Sequence, residues 1–423
     1  MIQNPETAEA SEGNRPGLAA SAAVALAVSV AAALLAAAAL FGSAEATWQA
    51  LDFNAAPFED FLGPYWQTAR SLDAGQTEPA AGYVYPATLA WLLTPVIALG
   101  ADGPIAASTL GALMVLGSLG LFLAAAFALA PPSRLSHASA AGAVLGLSHA
   151  ALHGAYWAQA SLPAIALTAG AVALRQRSRP GLAGAALGLA AAIKLYPAVA
   201  ALVFLVPERR PRALTAFLTV FAGTAILGPI ALMGVEGFVS FHRAVSADLS
   251  KLSGWVFTAD AGSGSQDLPT VLLRALDFTV PGAALRVAGV LCGALLIAGA
   301  ARTLARGGPH AALRAVVYLA AVPWTAVSPT WPHGLLWVPL GWWCAAHSVS
   351  WLARILALGS FAAGSIFALA LAGSPAGYVD PALPAWSAML CVLAVVVSGA
   401  AAASGAADDS DRSNNASAYA ASP

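Results

Sequence analysis

Residues 185–206, AALGLAAAIKLYPAVAALVFLV, form an apolar run of membrane-spanning length with a lysine, Lys194, near its middle. An ammonium group costs roughly 2.5–3.5 kcal/mol in a membrane span, so such a group is expected to be paired or to lie in a polar cavity. The chain has only two lysines. Lys194 therefore indicates an anionic partner. The alternative is that its amine snorkels to the membrane interface, because Tyr196 and Pro197 indicate a helix end.

The composition around this run is that of a polytopic membrane protein. Of 423 residues, 59% are hydrophobic and 9% are charged, which excludes a soluble domain. Ala, Leu, Val and Gly dominate, and the small residues among them permit close helix packing in lipid. The net charge of −1 indicates no class of partner, and three scattered cysteines give neither a disulfide framework nor metal spacing. We expect an all-α transmembrane bundle that binds no nucleic acid.

The apolar stretches predict about ten to thirteen helices. Several are shorter than the roughly 20 residues of a full crossing, which indicates broken or re-entrant helices. Polar composition predicts a disordered cytoplasmic head (1–16) and a disordered tail (403–423) around one transmembrane domain (17–402). The predicted spans are 17–41, 86–100, 104–130, 138–151, 157–174, 181–195, 197–207, 213–234, 284–303, 311–327, 333–349, 352–373 and 383–402.

Clusters of arginine predict the orientation in the membrane. The segments 175–180, 207–212 and 302–306 are expected on the cytoplasmic side. The stretch 45–78 has six acids and one base, and with 235–282 it is expected on the external side. Strict alternation of the predicted spans places Arg134 outside. One of the early short spans is therefore expected not to be a simple crossing.

The first external segment holds a candidate catalytic carboxylate, Asp60. The aromatic and apolar residues around it predict a helix that lies in the membrane interface. Asp60 would then be held at the membrane surface, where a carboxylate can act as a base on an incoming hydroxyl. The alternative is an ordinary solvated loop acid. The apolar face of the predicted helix comprises Phe58, Phe61, Leu62, Tyr65 and Trp66.

Two further polar positions interrupt apolar sequence. Gln159 opens a predicted span, where a helix cap or a helix–helix hydrogen bond is the alternative to a binding role. His333 lies in AVSPTWPHGLLWVP (326–339) and could donate to a phosphate or shuttle a proton. Packing or capping is equally compatible with that histidine. We expect no metal, because the remaining imidazoles and thiols form no ligand pattern.

Four ordered pieces of sequence carry a family resemblance. They are DF with a following YVYP (60–86), AQ at Gln159, IKLYPA (193–198) and SPTWPH (328–333). SQDLPTVLLR (265–274) is similar to a fifth piece, which begins Asn-Gln-Ser in the family. On these pieces the chain resembles bacterial, largely actinobacterial, superfamily C membrane glycosyltransferases that use polyprenyl-phosphate sugars. It is most similar to the family of the α-1,2-mannosyltransferases of phosphatidylinositol mannoside synthesis and an arabinofuranosyltransferase.

The chain also departs from the family pattern. SQD stands at 265–267 in place of Asn-Gln-Ser, YVYPA has one proline where two are usual, and SPTWPHG has one histidine where two often stand. These departures bear on the substrate more than on the fold.

The resemblance implies an inverting transfer of mannose, or next arabinofuranose, from a polyprenyl phosphate to a glycolipid or polysaccharide at the external face of the cell membrane. Asp60 would be the base and Lys194 would hold the phosphate. Neither a metal nor another cofactor is needed, because the phosphate leaves as a stable anion. The other implied substrate-binding residues are Tyr85, Gln159, Tyr196, Gln266, Arg274, Trp331 and His333.

Two other functions are compatible with the sequence. A transporter or lipid flippase would use Lys194 to bind an anionic substrate, and short broken helices are typical of such proteins. A membrane assembly factor without chemistry would tolerate alanine at Asp60 and Lys194.

Overall fold

The computed structural model describes residues 16–42, 46, 57–204, 211–256, 266–275, 282–308, 310–326, 332–379 and 381–420. Within these ranges the chain is helical, and the β-type pairing in them is one isolated bridge between Ser148 and Ser365. The all-α prediction is confirmed.

Nineteen α-helices are numbered here along the described parts of the chain. They are α1 (Leu18–Phe41), α2 (Trp66–Asp73), α3 (Thr88–Ala98), α4 (Pro104–Leu129), α5 (Leu135–Gly146), α6 (His149–Trp157), α7 (Ser161–Gln176), α8 (Pro180–Ile193), α9 (Ala198–Phe204), α10 (Pro211–Ala222), α11 (Gly228–Val256), α12 (Leu268–Ala275), α13 (Gly282–Arg306), α14 (Ala311–Ala326), α15 (Val338–Ala346), α16 (Trp351–Gly364), α17 (Ile366–Ala372), α18 (Pro375–Val379) and α19 (Leu383–Ala420). Phe61–Tyr65 and Gly223–Leu227 are π-helical, and Pro332–Leu335 is a 3₁₀ turn.

Many of these helices are apolar enough for a membrane. In the described residues, five helical stretches are long and apolar enough to cross it, and six if one bent pair is a single span. That pair is α6 and α7, between which the chain bends by 118°. Four shorter apolar helices accompany them, as the short predicted spans indicated. The protein is therefore a multi-pass membrane protein.

Glycines at a spacing of four residues bring helices into backbone contact. A Cβ atom on Gly142 or Gly146 of α5 would collide with the backbone of α1 at Ala25 and Ser29. Gly184 and Gly188 make the same kind of approach from α8 to α10, where they meet the backbone of Ala213 and Phe217. Close packing of this kind drives helix association where lipid removes the hydrophobic effect between helices. The expectation from the small-residue composition is confirmed.

Helix α4 defines two ends of the bundle. Near its start, the position of a Cβ atom on Gly111 would be 3.3 Å from the Phe61 ring, next to Asp60 in sequence. At its other end, the Ala130 carbonyl accepts a hydrogen bond from the indole of Trp343 at 3.1 Å. Gly111 and Ala130 are separated by about 28 Å at 1.5 Å per helical residue. We call these two ends the Asp60 end and the arginine end.

The arginine segments lie together at the second end. Helix α7 starts beside Gln159 near Asp60, so residues 175–180, at its other terminus, lie at the arginine end. Helix α10 runs alongside α8 in the same direction, because Gly184 meets Ala213 and Gly188 meets Phe217. The start of α10 therefore lies at the arginine end as well.

The short helix α3 explains why Arg134 lies at the same end of the bundle as the arginine segments. Tyr85, just before α3, and Gly111 in α4 both contact residues of the Asp60 end. Helix α3 has 11 residues and is about 16 Å long, roughly half of a bilayer core. It does not cross. Arg134 therefore follows the end of α4 at the arginine end, and the placement by strict alternation of the predicted spans is wrong.

Other boundaries differ from the predicted ones. The predicted spans 138–151 and 157–174 are in fact three helices, α5 to α7, with breaks near 147 and 159. The segment 235–282, expected on the external side, is helical as far as Val256 beyond a kink at Gly234, whose φ is +73°. The domain limits remain predictions, and residues 1–15 lie outside the described part.

Candidate active site

Asp60 lies at the start of the π-helical turn of the first predicted external segment. The backbone N–H of Phe58 donates to the Tyr156 carbonyl at 2.6 Å, which fixes this segment to the end of α6. Phe58 adopts a left-handed φ of +63°. Asp60 is half-buried, whereas Phe61 is only 1% exposed. The turn therefore holds the carboxylate at the edge of the core, and π-helical turns of this kind are frequent at functional sites.

The aromatic face of this segment packs inward. Phe61, Tyr65 and Trp66 are buried in the protein, and the Phe61 and Trp66 rings are stacked with centroids 6.2 Å apart. The predicted helix is present. Its large aromatic side chains contribute to the protein core.

Gln159 occupies the break between α6 and α7. Ala158 ends α6 in the left-handed conformation, with φ +48°, and the Gln159 N–H donates to the Gly154 carbonyl at 3.1 Å. The Gln159 side chain is only 3% exposed. The bend thus places an amide inside the bundle, where an unpaired polar group would be costly.

Both polar atoms of the Gln159 side-chain amide make hydrogen bonds. Its Nε2 donates to Oδ2 of Asp60. Its Oε1 accepts from the Tyr85 hydroxyl at 3.3 Å and from the Tyr65 hydroxyl at 3.5 Å. Phenol hydroxyls can donate and a carboxylate can only accept, so this pattern fixes the orientation of the amide.

Two tyrosines support this arrangement from the YVYP piece. The Tyr85 ring lies edge-on to Tyr65 with centroids 5.3 Å apart, and Tyr83 donates to the Pro86 carbonyl at 2.6 Å. Burial, with a smaller contribution from the Asp60 charge, raises the pKa of Tyr85. Burial likewise raises the pKa of Tyr65, with further contributions from Tyr85 and Asp60. Both phenols are therefore neutral hydrogen-bond donors at physiological pH.

Lys194 reaches the same cluster from a second helix break. Helix α8 ends at Ile193, and Lys194 adopts extended dihedrals of −144° and 130°. Its Nζ donates to Oγ of Ser161 at 2.6 Å and lies 5.3 Å from the centroid of the Tyr85 ring. The amine therefore points into the protein, toward the start of α7, and does not snorkel away from it. A cation over an aromatic face is favourable, and more so when desolvated.

The structure thus brings four of the predicted site residues together: Asp60, Tyr85, Gln159 and Lys194. They come from three separate stretches of sequence and meet at two helix breaks and one loop. Sequence reasoning missed Ser161. Its signal was its place two residues after Gln159, in the AQAS that opens α7.

The other predicted site residues either make contacts of their own or lie outside the described part of the chain. Tyr196 packs against the core, and its buried hydroxyl has no hydrogen-bond partner among the described residues. The side-chain amide of Gln266 donates to the Val379 carbonyl at 3.1 Å. The backbone carbonyl of Gln266 accepts from the indole of Trp324 at 2.8 Å. Trp331 lies outside the described residues, as do the side chains of Arg274 and His333.

The turn that carries His333 packs against α6, the helix that leads to Gln159. Its backbone therefore belongs to the same neighbourhood of the fold as the cluster. In the described residues, no group of three His, Cys, Asp or Glu side chains is arranged to hold a metal ion. The absence of a metal stays a prediction.

Comparison with known proteins adds the family. The sequence model described as glycosyltransferase family 87 matches residues 83–329, more than half of the chain. Tyr85, Gln159 and Lys194 lie inside the match, whereas Asp60 precedes it. Neither the search of curated proteins nor that of solved structures gives a match. With its membrane helices and the polar cluster at their breaks, the chain belongs to glycosyltransferase family 87 and is a membrane glycosyltransferase.

Proposed function

We propose that the enzyme transfers a hexose or pentose, mannose first and arabinofuranose next, from a polyprenyl phosphate to a glycolipid or polysaccharide acceptor. The observation that carries this proposal is the placement of one carboxylate and one ammonium group around Gln159 and Tyr85. An inverting displacement at a sugar phosphate needs a base for the acceptor and positive charge for the leaving group. The cluster offers both.

Asp60 is the proposed base. The acceptor hydroxyl attacks the anomeric carbon and gives its proton to the carboxylate, while the bond from that carbon to the phosphate oxygen breaks. A general base must lie within hydrogen-bond reach of the proton that it takes. Asp60 is half-buried and one carboxylate oxygen is bonded to Gln159, which holds the group in place.

Lys194 is the proposed partner of the donor phosphate. Negative charge accumulates on the phosphate as the glycosidic bond breaks, and a preorganised cation at that position stabilises the transition state. The Ser161 hydroxyl and the Tyr85 ring hold the amine in the cluster before substrate binds. The released polyprenyl phosphate is a stable anion, so the mechanism requires no strong general acid.

The remaining predicted residues complete the proposed substrate site. Arg274, His333 and Tyr196 are candidate donors to the phosphate or the sugar, and Gln266 and Trp331 are candidate contacts of the substrate. The closeness of the His333 turn to α6 supports its inclusion. We place the site on the external face of the cell membrane, because the arginine segments at the opposite end are of the kind retained on the cytoplasmic side.

The test is transfer by the purified protein. Decaprenyl-phosphate mannose and decaprenyl-phosphate arabinose are supplied separately with lipid acceptors, and the products are separated by chromatography and identified by mass. Product from one donor that disappears with Asp60→Asn supports the proposal. Transfer from a nucleotide sugar but from neither lipid donor would overturn the donor class while leaving the family assignment intact.

A further inference from the structure

Helices α13, α14 and α19 pack together away from the Asp60 cluster. These helices enclose a cavity of about 850 Å³. Most of its wall is apolar, with Leu296 from α13 and Val392 and Val396 from α19. Leu295 lies on the same face of α13 and is 72% exposed, so the cavity opens sideways between the helices. In a membrane protein this opening faces lipid.

Positive charge is concentrated at one end of this cavity. Arg302 and Arg306 extend the lining face of α13 by one and two turns beyond Gly299, and Arg314 approaches from α14. Arg302 and Arg306 are exposed, whereas Arg314 is 5% exposed and packs against Gly399 of α19.

The cavity is elongated along the helices. Its lining on α14 extends from Arg314 to Thr325, which are about 16 Å apart at 1.5 Å per residue. Trp324 lines the inner end, and its indole donates to the Gln266 backbone carbonyl at 2.8 Å. The space is thus a long apolar slot. We call the end lined by Arg302, Arg306 and Arg314 its cationic mouth.

The cationic mouth lies at the arginine end of the bundle. His310, just before α14, has its ring 5.0 Å from that of His347, and His347 lies 4.4 Å from Trp343. The indole of Trp343 donates to the Ala130 carbonyl at the end of α4. The mouth is therefore at the membrane face opposite Asp60.

We propose that this cavity binds an anionic phospholipid, with its phosphate group among Arg302, Arg306 and Arg314 and one acyl chain in the slot. Guanidinium groups match phosphate oxygens with paired hydrogen bonds. A free phosphate ion would leave the apolar slot unused, and a zwitterionic headgroup would offset the arginine attraction with its own cation. The inference does not rest on the donor or on the role proposed for Asp60.

The test uses the full-length protein in detergent and native mass spectrometry. Phosphatidylglycerol is titrated against phosphatidylcholine as the zwitterionic reference and inorganic phosphate as the headgroup alone. We expect one retained phosphatidylglycerol. The variant Arg302→Gln/Arg306→Gln should weaken its binding at least about tenfold, because hydrogen bonds to charged groups are lost.

The matched control is Arg177→Gln/Arg179→Gln. These two arginines are exposed at the same end of the bundle, between α7 and α8, and do not line the cavity. Their loss should leave the retained lipid unchanged. Equal loss with both double variants would overturn the proposal, because it would show only a general surface attraction. Equal retention of phosphatidylcholine, or a site filled by inorganic phosphate alone, would overturn it as well.

A variant that keeps every arginine tests the slot itself. A Cβ on Gly299 would lie 3.8 Å from the Tyr318 ring, so Gly299→Leu projects a side chain into the cavity without backbone collision. We expect this variant to remain monodisperse and to lose the retained phosphatidylglycerol. Undiminished lipid binding by Gly299→Leu would contradict the placement of the acyl chain.

Discussion

The side-chain amide of Gln159 donates a hydrogen bond to the carboxylate of Asp60, across 99 residues of sequence. The same amide accepts from the hydroxyl of Tyr85, whose ring lies beneath the amine of Lys194. One neutral side chain therefore links the proposed base to the proposed phosphate site. The predictions below separate the contributions of these groups.

Replacing Asp60 with Asn should lower kcat by about 10²–10⁴-fold, the usual contribution of a positioned general base. Asn keeps the size of the side chain and can still accept from Gln159 through its carbonyl. The exposed neighbour Glu59 provides the matched control, since Glu59→Gln removes the same charge one residue away. Initial rates with the lipid donor measure both. Wild-type turnover by Asp60→Asn would exclude the base assignment.

Replacing Gln159 with Leu should lower kcat roughly 10- to 100-fold, because a hydrogen bond to a charged group contributes about 1.5–3 kcal/mol. The loss of this donor also makes protonation of the carboxylate easier. The acidic limb of the rate profile should therefore move to higher pH. Gln76→Leu, at an exposed glutamine, is the control. A fall in rate with an unmoved acidic limb would indicate a purely structural role for Gln159.

Replacing Lys194 with Met should reduce kcat with the lipid donor by about 10²–10³-fold, as for other preorganised groups that stabilise developing charge. The fold should be retained, because Met is of similar length to Lys and its uncharged side chain has no desolvation cost to offset at this half-buried position. The second lysine offers a control: Lys251 is 79% exposed and pairs with Asp248 at 2.9 Å. Lys251→Met should leave the rate unchanged. Equal effects of the two substitutions would refute the phosphate role.

Two substitutions at Tyr85 separate its hydroxyl from its ring. Tyr85→Phe loses one neutral hydrogen bond to Gln159 and should slow transfer by about 2- to 10-fold. Tyr85→Leu also removes the ring beneath Lys194, so it should be slower still. Since the pKa of Tyr85 is raised, its hydroxyl stays protonated in the assay range, and Tyr85→Phe should leave the alkaline limb in place. A shift of that limb in Tyr85→Phe would show that the phenol titrates.

A pair of glycines in α8 tests the close packing of the bundle. Gly184→Ala places a Cβ against the Ala213 backbone and should destabilise the protein by about 1–3 kcal/mol. At Gly181 a Cβ meets nothing within 4 Å, so Gly181→Ala should be neutral or stabilising. Thermal unfolding in detergent compares the two. Equal melting temperatures would mean that α8 and α10 are less tightly packed than described.

Much of the fold was predictable because membrane insertion leaves few choices. Backbone groups in hydrocarbon must pair within a segment, so an apolar composition with spans of this length specifies helices. The break near Lys194 was foreseeable from Tyr196 and Pro197, whereas the break near Gln159 fell inside a predicted span. The arginine pattern also indicated that one early short span does not cross, but not that this span is α3. Its failure to cross follows from the contacts of Tyr85 and Gly111 at one end of the bundle.

By itself the sequence determined the helical class, the approximate spans and an ammonium group in need of a polar surrounding, because hydropathy and charge are local properties. The polar partners of Lys194 are tertiary facts. Ser161 and Tyr85 reach it only because α6 and α7 bend by 118° while α8 ends beside them. The linking of Asp60 to Gln159 likewise depends on the hydrogen bond from Phe58 to Tyr156. Such meetings of distant residues depend on how helices pack, which no local pattern encodes.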